Sequence, residues 1–378
     1  MKIGLLGYYG QQNTGDDLIL RVMLEYINRY NTNTNITVFG IKNNIKDIIT
    51  MPISIKPRSV WTIFKDTWVE DIMIVGGGGL FPHGDTPRLL FFIMLNIIMK
   101  IRRKKIGYIG IGIGKGNFQH ALNRCLLKTI ICTADTFVTR QKEPFVQYWH
   151  NWKYKNRLSM GADVVFSPAA LPNFASTKTP NLVIIALANI FDDAPKMDAL
   201  TMEEKFLNEV CIFLQEILAK DYVINLIAFS NGQDQAFNDR IANKLQNKRL
   251  NSIPYQRDPY VTYREITKAQ YCVAMRFHAI ILAIQAGIPV MSISYSDKNE
   301  DLMLRLKLEE YSVRFGISNK QYFNNKIQIS AQSLIKIFFS MVKNESYLCK
   351  HIDKKKKILQ KISDINCREL HKLFTTMT

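Results

Sequence analysis

The sequence predicts a two-domain α/β protein with a ligand cleft between the domains, and three observations carry that expectation. At 378 residues the chain exceeds the ordinary single core of about 100 to 200 residues. Short apolar runs alternate with helix-period patterns along most of its length, as in parallel βαβ units. A stretch rich in Pro, Ala, Ser, Thr and Asn, from Pro168 to Pro180, then divides two such series. The expected organisation is an N-terminal Rossmann-like domain over 1–172, a C-terminal one over 173–332, and basic amphipathic helices over 333–378.

In the first series, strands are predicted at Lys2 to Leu6, Ile36 to Phe39, Ile72 to Val75, Ile106 to Ile111 and Thr136 to Thr139. Helices fall between them at Asp16 to Tyr30, Pro87 to Arg102 and Phe118 to Cys132. In the second, strands are read at Leu182 to Ala186, Tyr222 to Ala228, Tyr271 to Ala274 and Val290 to Ile293. Helices are expected over Thr201 to Lys220, Asp234 to Gln246, Thr262 to Ala269 and Phe277 to Ala286, the first opened by a capping box at Thr201-Met202-Glu203-Glu204.

An apolar content of 47% argues against disorder and for filled interiors. The six cysteines form no C-x-x-C pair, so reduced thiols are expected rather than disulfides or a zinc site, and no metal is expected. The N-terminus lacks the pattern of a secretory leader, which makes a cytoplasmic chain the expectation. The longest apolar run, Leu89 to Met99, is shorter than the roughly 18 to 20 residues that span a bilayer. Five Lys/Arg follow between Lys100 and Lys105; a buried crossover helix with a basic end is expected, with an interfacial helix as the alternative. The net charge of +18 calls for anionic partners, but no nucleic-acid module motif is present and nucleic acid is not expected.

Open α/β sheets bind ligands beyond the carboxyl ends of their strands, so chemistry is sought there. After the first strand comes Gly7-Tyr8-Tyr9-Gly10-Gln11-Gln12-Asn13-Thr14-Gly15-Asp16-Asp17. Its glycine spacing is not that of a dinucleotide fingerprint, and Asp16 and Asp17 suit sugar hydroxyls better than a pyrophosphate. The competing reading is a loop with Asp16 as a helix cap. Gly76 to Gly79 directly follow the strand Ile72 to Val75, where four glycines suggest backbone passing close to a ligand or another segment; Gly77 and Gly78 are the candidates. His83 and Asp85 follow, with a structural role for His83 as the alternative. Lys115, after Gly110, Gly112 and Gly114, can meet an anion. Arg140 can clamp a carboxylate or phosphate with Asp163 to orient it, and a surface ion pair fits those two residues equally.

The strongest element is Ala274 to Val290, where a strand stops and a nearly wholly apolar helix begins. Arg276 and His278 fall at the mouth of that unit, beside a helix start that favours anions. Such groups cost desolvation there unless they meet a ligand or an acidic partner. With Lys298 after the following strand, they compose a site for a small, densely anionic molecule.

These segments together resemble the polysaccharide pyruvyl transferase family. The match runs over Gly7 to Gly10, Asn13 to Asp17, Gly76 to Gly79, Gly110 to Gly114, Arg140, Asp163, Arg276-Phe277-His278, Gly287 to Val290 and Tyr295 to Lys298. The resemblance implies two Rossmann-like domains in a GT-B-like arrangement. It also implies transfer of pyruvate from phosphoenolpyruvate, a co-substrate with no separate cofactor, onto two hydroxyls of one sugar as a cyclic ketal. Arg276, with Arg140 or Lys298, would bind phosphoenolpyruvate beside Phe277, and His278 would be the acid/base. Asp16 and Asp17 would hold or activate the sugar, with Asn13, Gly15, Gly77, Gly78, His83, Asp85 and Lys115 lining the site. Family members commonly carry Leu where Phe277 stands and Pro where Lys115 stands. A lipid-linked acceptor would account for a basic tail at Lys350 to Lys361 drawn to an anionic membrane face, and a solvated helix face is the alternative. A GT-B glycosyltransferase using a nucleotide-sugar donor and a non-catalytic carbohydrate- or membrane-binding protein are the rival readings.

Overall fold

The computed structural model describes residues 1–30, 34–49, 51–82, 84–141, 158–168, 170–174, 177–191, 196–315 and 329–375. The chain divides into two compact units, one of residues 1–12, 16–172 and 358–378 and the other of residues 13–15 and 173–357. The stretch 333–378 therefore forms no unit of its own. The helix Glu345–Thr375 begins in the second unit and ends in the first.

The first unit is built on a parallel sheet of β1 (Lys2–Tyr9), β2 (Asn35–Gly40), β3 (Ser54–Lys56), β4 (Ile72–Phe81), β5 (Lys105–Ile113), β6 (Thr136–Thr139) and β7 (Leu158–Met160), in spatial order β3-β2-β1-β4-β5-β6-β7. The order reverses between β1 and β4, which makes their carboxyl ends the place where an open α/β sheet takes a ligand. Helices return the chain between strands and begin where the sequence supplies caps: Ser59 accepts from Thr62 N at 3.1 Å, and Asp85 from Arg88 N at 3.1 Å. The core centres on Phe81, Phe92, Tyr108 and Phe137. The one polar atom Tyr108 takes there is matched, its hydroxyl donating to Asn96 Oδ1 at 2.6 Å.

The second unit repeats the plan with β8 (Leu182–Ala186), β9 (Val223–Ile227), β10 (Leu250–Ile253), β11 (Tyr271–Ala274), β12 (Val290–Ser294) and β13 (Ser312–Arg314), ordered β10-β9-β8-β11-β12-β13 and parallel throughout. Its reversal lies between β8 and β11, so β11 delivers its C-terminal residues straight to the favoured position.

Two of the predicted helices depart most from the sequence reading. The predicted helix 118–132 is broken into Gly116–Gln119 and Ala121–Thr133 by His120, whose backbone is extended. The helix expected to open at the Thr201 capping box already runs from Lys196 to Ala219, so Thr201 lies inside it. Of the residues ahead of the box, Met197, Ala199 and Leu200 are good helix formers, and the helix begins before the local start signal.

Candidate active site

In the second unit, β11 is wholly buried and ends where Met275 N and Arg276 N both donate to Ala186 O, at 2.8 and 3.4 Å. Arg276 then serves as the extended residue ahead of the helix Phe277–Gln285, with no side-chain cap. The guanidinium is engaged instead by Asp234: Nε donates to Oδ2 at 2.9 Å and Nη2 to Oδ1. The Asp234 side chain has no solvent exposure, and its Oδ2 also accepts from Phe229 N at 3.1 Å and Ser230 N at 2.9 Å. A buried carboxylate is tolerable only when it is so compensated. The pairing fixes a planar, permanently charged fork at the end of β11.

His278 lies half-buried in the first turn of the same helix, its ring edge-on to Phe277 with centroids 5.3 Å apart. Against that ring lies Gly15. A Cβ added there would sit 1.8 Å from His278 Nδ1, so no side chain fits beside the imidazole. The segment is pinned by three further contacts. Asn13 Oδ1 accepts from Gly15 N at 3.0 Å, Thr14 N donates to Phe229 O at 2.9 Å, and Asn13 forms a β-bridge with Ser230. The Phe229–Ser230 backbone thus holds both the carboxylate behind Arg276 and the segment of residues 13–15 beside His278. Lys298 opens the helix Asp297–Leu306, and its Nζ lies 5.7 Å from the centroid of Phe277. Asn299, fully buried, donates to Met275 O at 2.6 Å and locks the turn that carries Arg276. Asn13, Gly15, Arg276, Phe277, His278 and Lys298 all fall in this unit.

In the first unit the glycine run is explained by close approach. Gly77 and Gly78 have φ of +63° and +85°, and a Cβ on Gly77 would lie 2.0 Å from Ile19 Cγ2. Gly78 instead faces Asp16, whose Oδ1 would lie 3.4 Å from such a Cβ. Tyr9 donates to Gly76 O at 2.7 Å, and burial together with the Asp16 charge raises its phenol well above the usual range. Asp17 is fully buried, so of the two carboxylates expected at the sugar only Asp16 keeps solvent access.

Arg140 and Asp163 make a buried ion pair at 2.5 Å rather than a surface one. Asp163 Oδ1 also accepts from Val165 N at 3.0 Å. The C-terminal helix secures that loop: Ser363 Oγ donates to Asp163 O at 3.1 Å and Asn366 Nδ2 to Ala162 O at 2.9 Å. The guanidinium passes Gly112, where a Cβ would lie 2.7 Å from Nε. Arg140 thus belongs to the first unit, whereas Arg276 and Lys298 belong to the second. Asp85 caps the helix Thr86–Ile101 and pairs with Arg88 at 3.0 Å. Lys115 is half-buried ahead of the helix Gly116–Gln119, and His83 lies outside the described residues. Among the described residues no group of three or more His, Cys, Asp or Glu is placed to hold a metal.

Asp234 and Asn299 are the residues that the sequence reading missed. Asp234 had a legible signal, since it follows the carboxyl end of β9 by a short polar loop; Asn299 had none beyond adjacency to Lys298.

A family model described as polysaccharide pyruvyl transferase matches residues 13–297. No curated protein matches the chain. Among solved structures, a UDP-GlcNAc 2-epimerase from Neisseria meningitidis bound to UDP-GlcNAc is similar with a TM-score of 0.60 at 12% identity, over 98% of this chain and 100% of that one. The S. aureus MnaA–UDP structure has a TM-score of 0.58 at 10% identity, covering 93% and 90%. Anabaena Alr3699/HepE in complex with UDP and glucose has a TM-score of 0.57 at 9% identity, covering 99% of each chain. At these identities the likeness establishes the fold, two Rossmann-like domains of the GT-B-like kind.

Proposed function

Because the chain belongs to the polysaccharide pyruvyl transferase family, we propose that it moves a pyruvyl group from phosphoenolpyruvate onto two hydroxyls of one sugar. The product is a cyclic ketal and free phosphate. We take the acceptor to be a lipid-linked precursor of a surface polysaccharide, met at the inner face of the membrane. The observation that carries the reading is the Arg276 guanidinium, held by the buried Asp234 carboxylate at the β8/β11 reversal, two residues before His278.

In this mechanism Arg276 and Lys298 neutralise the carboxylate and phosphate of phosphoenolpyruvate, where charge-assisted contacts are strongest. His278 gives a proton to the methylene carbon, which becomes a methyl group and leaves the adjacent carbon electrophilic. One sugar hydroxyl adds to that carbon and returns a proton to the imidazole. The carbon–oxygen bond to phosphate breaks, and the second hydroxyl closes the ketal as its proton leaves with phosphate. Asp16 orients the sugar.

Phosphate release from phosphoenolpyruvate, dependent on a sugar acceptor and accompanied by an acid-labile ketal, is the expected result on mixing. The structural neighbours hold UDP or a UDP-sugar, so the rival is a nucleotide-sugar glycosyltransferase. Nucleoside diphosphate release from a sugar nucleotide, with phosphoenolpyruvate left intact, would overturn the proposal. Gly15→Ala offers a geometric check. Its new methyl group drives the imidazole from its seat, and a displacement of about 1 Å lowers kcat by about tenfold to 100-fold. Unchanged turnover in a folded Gly15→Ala protein would remove His278 from the reaction.

A further inference from the structure

We infer that the first unit carries a membrane-docking face whose partner is an anionic lipid bilayer. On the helix Thr86–Ile101, Leu89, Phe92, Leu95 and Met99 fill the core, as the expected buried crossover helix requires. The opposite side is apolar too: Leu90, Met94, Ile97 and Ile101 recur at helical spacing and are all exposed, Ile101 at 75%. A helix at an ordinary protein surface presents polar residues there. The segment running from the helix Val60–Asp66 to Val69 adds Trp61 and Trp68, exposed 80% and 62%. The two segments belong to one face, because Phe64 packs on Phe91 with centroids 5.5 Å apart and the Arg102 guanidinium stands 3.8 Å over the Trp68 ring. Isolated exposed apolar residues need no explanation, but a joined set of this size does.

Charge selects the occupant. The bordering carboxylates are already matched: Asp66 by Lys56, Asp71 by Lys104, Asp85 by Arg88 and Asp135 by Lys100, and Glu70 is buried. Arg58, Lys65, Arg102 and Arg103 have no carboxylate partner among the described residues. An apolar face with two tryptophans and a cationic rim matches the interfacial layer of an anionic bilayer. A second copy would bring the same positive rim against it and be repelled. The C-terminal helix, for whose basic stretch membrane contact and a solvated face are the alternatives, buries one side: Ile352, Leu359, Leu370 and Leu373 are buried and Lys356 Nζ donates to Gln285 O at 2.5 Å, while Lys354, Lys357 and Lys361 are exposed. The inference gives the proposed lipid-linked acceptor a docking surface and rests on that reading for its purpose.

The test is co-sedimentation of the full chain with vesicles of phosphatidylglycerol and phosphatidylcholine, against phosphatidylcholine alone. Wild type should bind the anionic vesicles and release with added salt. A Trp61→Ser, Met94→Ser, Ile97→Ser variant with unchanged circular dichroism should bind at least about tenfold more weakly. Absence of wild-type binding, or equal binding by the variant, overturns the inference; so does a wild-type dimer that the variant converts to monomer in the ultracentrifuge. Pyruvyl transfer to a soluble acceptor should be equal in the two proteins. Its failure in both would count against the proposed reaction and leave the vesicle result standing.

Discussion

His278→Ala is expected to reduce pyruvyl transfer by at least about 1,000-fold, in the range attributed to a general acid–base group in a reaction that moves a proton onto carbon. The fold should survive. His278 is half-buried at the first turn of a helix whose remaining residues, from Ala279 onward, are buried without it. Removing the imidazole leaves Gly15 facing an open space rather than a clash, so the melting temperature should move by no more than about 5 °C. Turnover measured as phosphate release, beside a melting curve, separates the two effects. Near-wild-type turnover would sink the assignment, and a collapsed melting curve would make His278 a packing residue.

The second large effect is expected at Arg276, and here the structure changes the design of the experiment. Arg276→Ala should lower kcat/KM for phosphoenolpyruvate by about 100- to 1,000-fold, chiefly through KM, as expected for loss of one preorganised cationic contact. It should also destabilise, because it strands the buried Asp234 carboxylate, and breaking such a pair costs about 3 to 5 kcal/mol. Arg276→Lys keeps the charge but cannot reproduce the two-point contact with Asp234, so it should retain stability better than affinity. Asp234→Asn keeps the shape and lets the guanidinium turn, raising KM with Arg276 still present. Equal KM values for wild type and Asp234→Asn would show that Asp234 serves folding alone.

Strand prediction succeeded and failed along a physical line. Every interior strand was legible as an apolar run, because a parallel strand covered on both faces leaves a continuous apolar signature. The missed strands are β3, β7, β10 and β13, which are the edges of the two sheets. Each has only three or four residues, too few to reveal a period. Local pattern also failed at Thr201, where a capping box is overridden by helix-forming residues before it.

The site divides in the same way. Arg276, His278 and Lys298 could be placed at a helix mouth from residue order alone, since strand, turn and helix follow one another in the chain. What holds them could not. Asp234 lies 42 positions from Arg276 in sequence, and Gly15, in the first turn of the helix Thr14–Tyr30, is far from His278 along the chain yet packs beside its imidazole within the second unit. The helix stripe from Leu90 to Ile101 likewise reads as core until solvent exposure assigns its two sides. By itself the sequence determined the fold class, the interior strands and the residue types at the strand ends. The tertiary structure decided that Asp234 anchors Arg276, that Arg140 closes on Asp163, that Asp17 is buried and that Gly15 seats His278. Those are pairings between distant segments, set by strand order and packing, which the periodicity of a single segment does not encode.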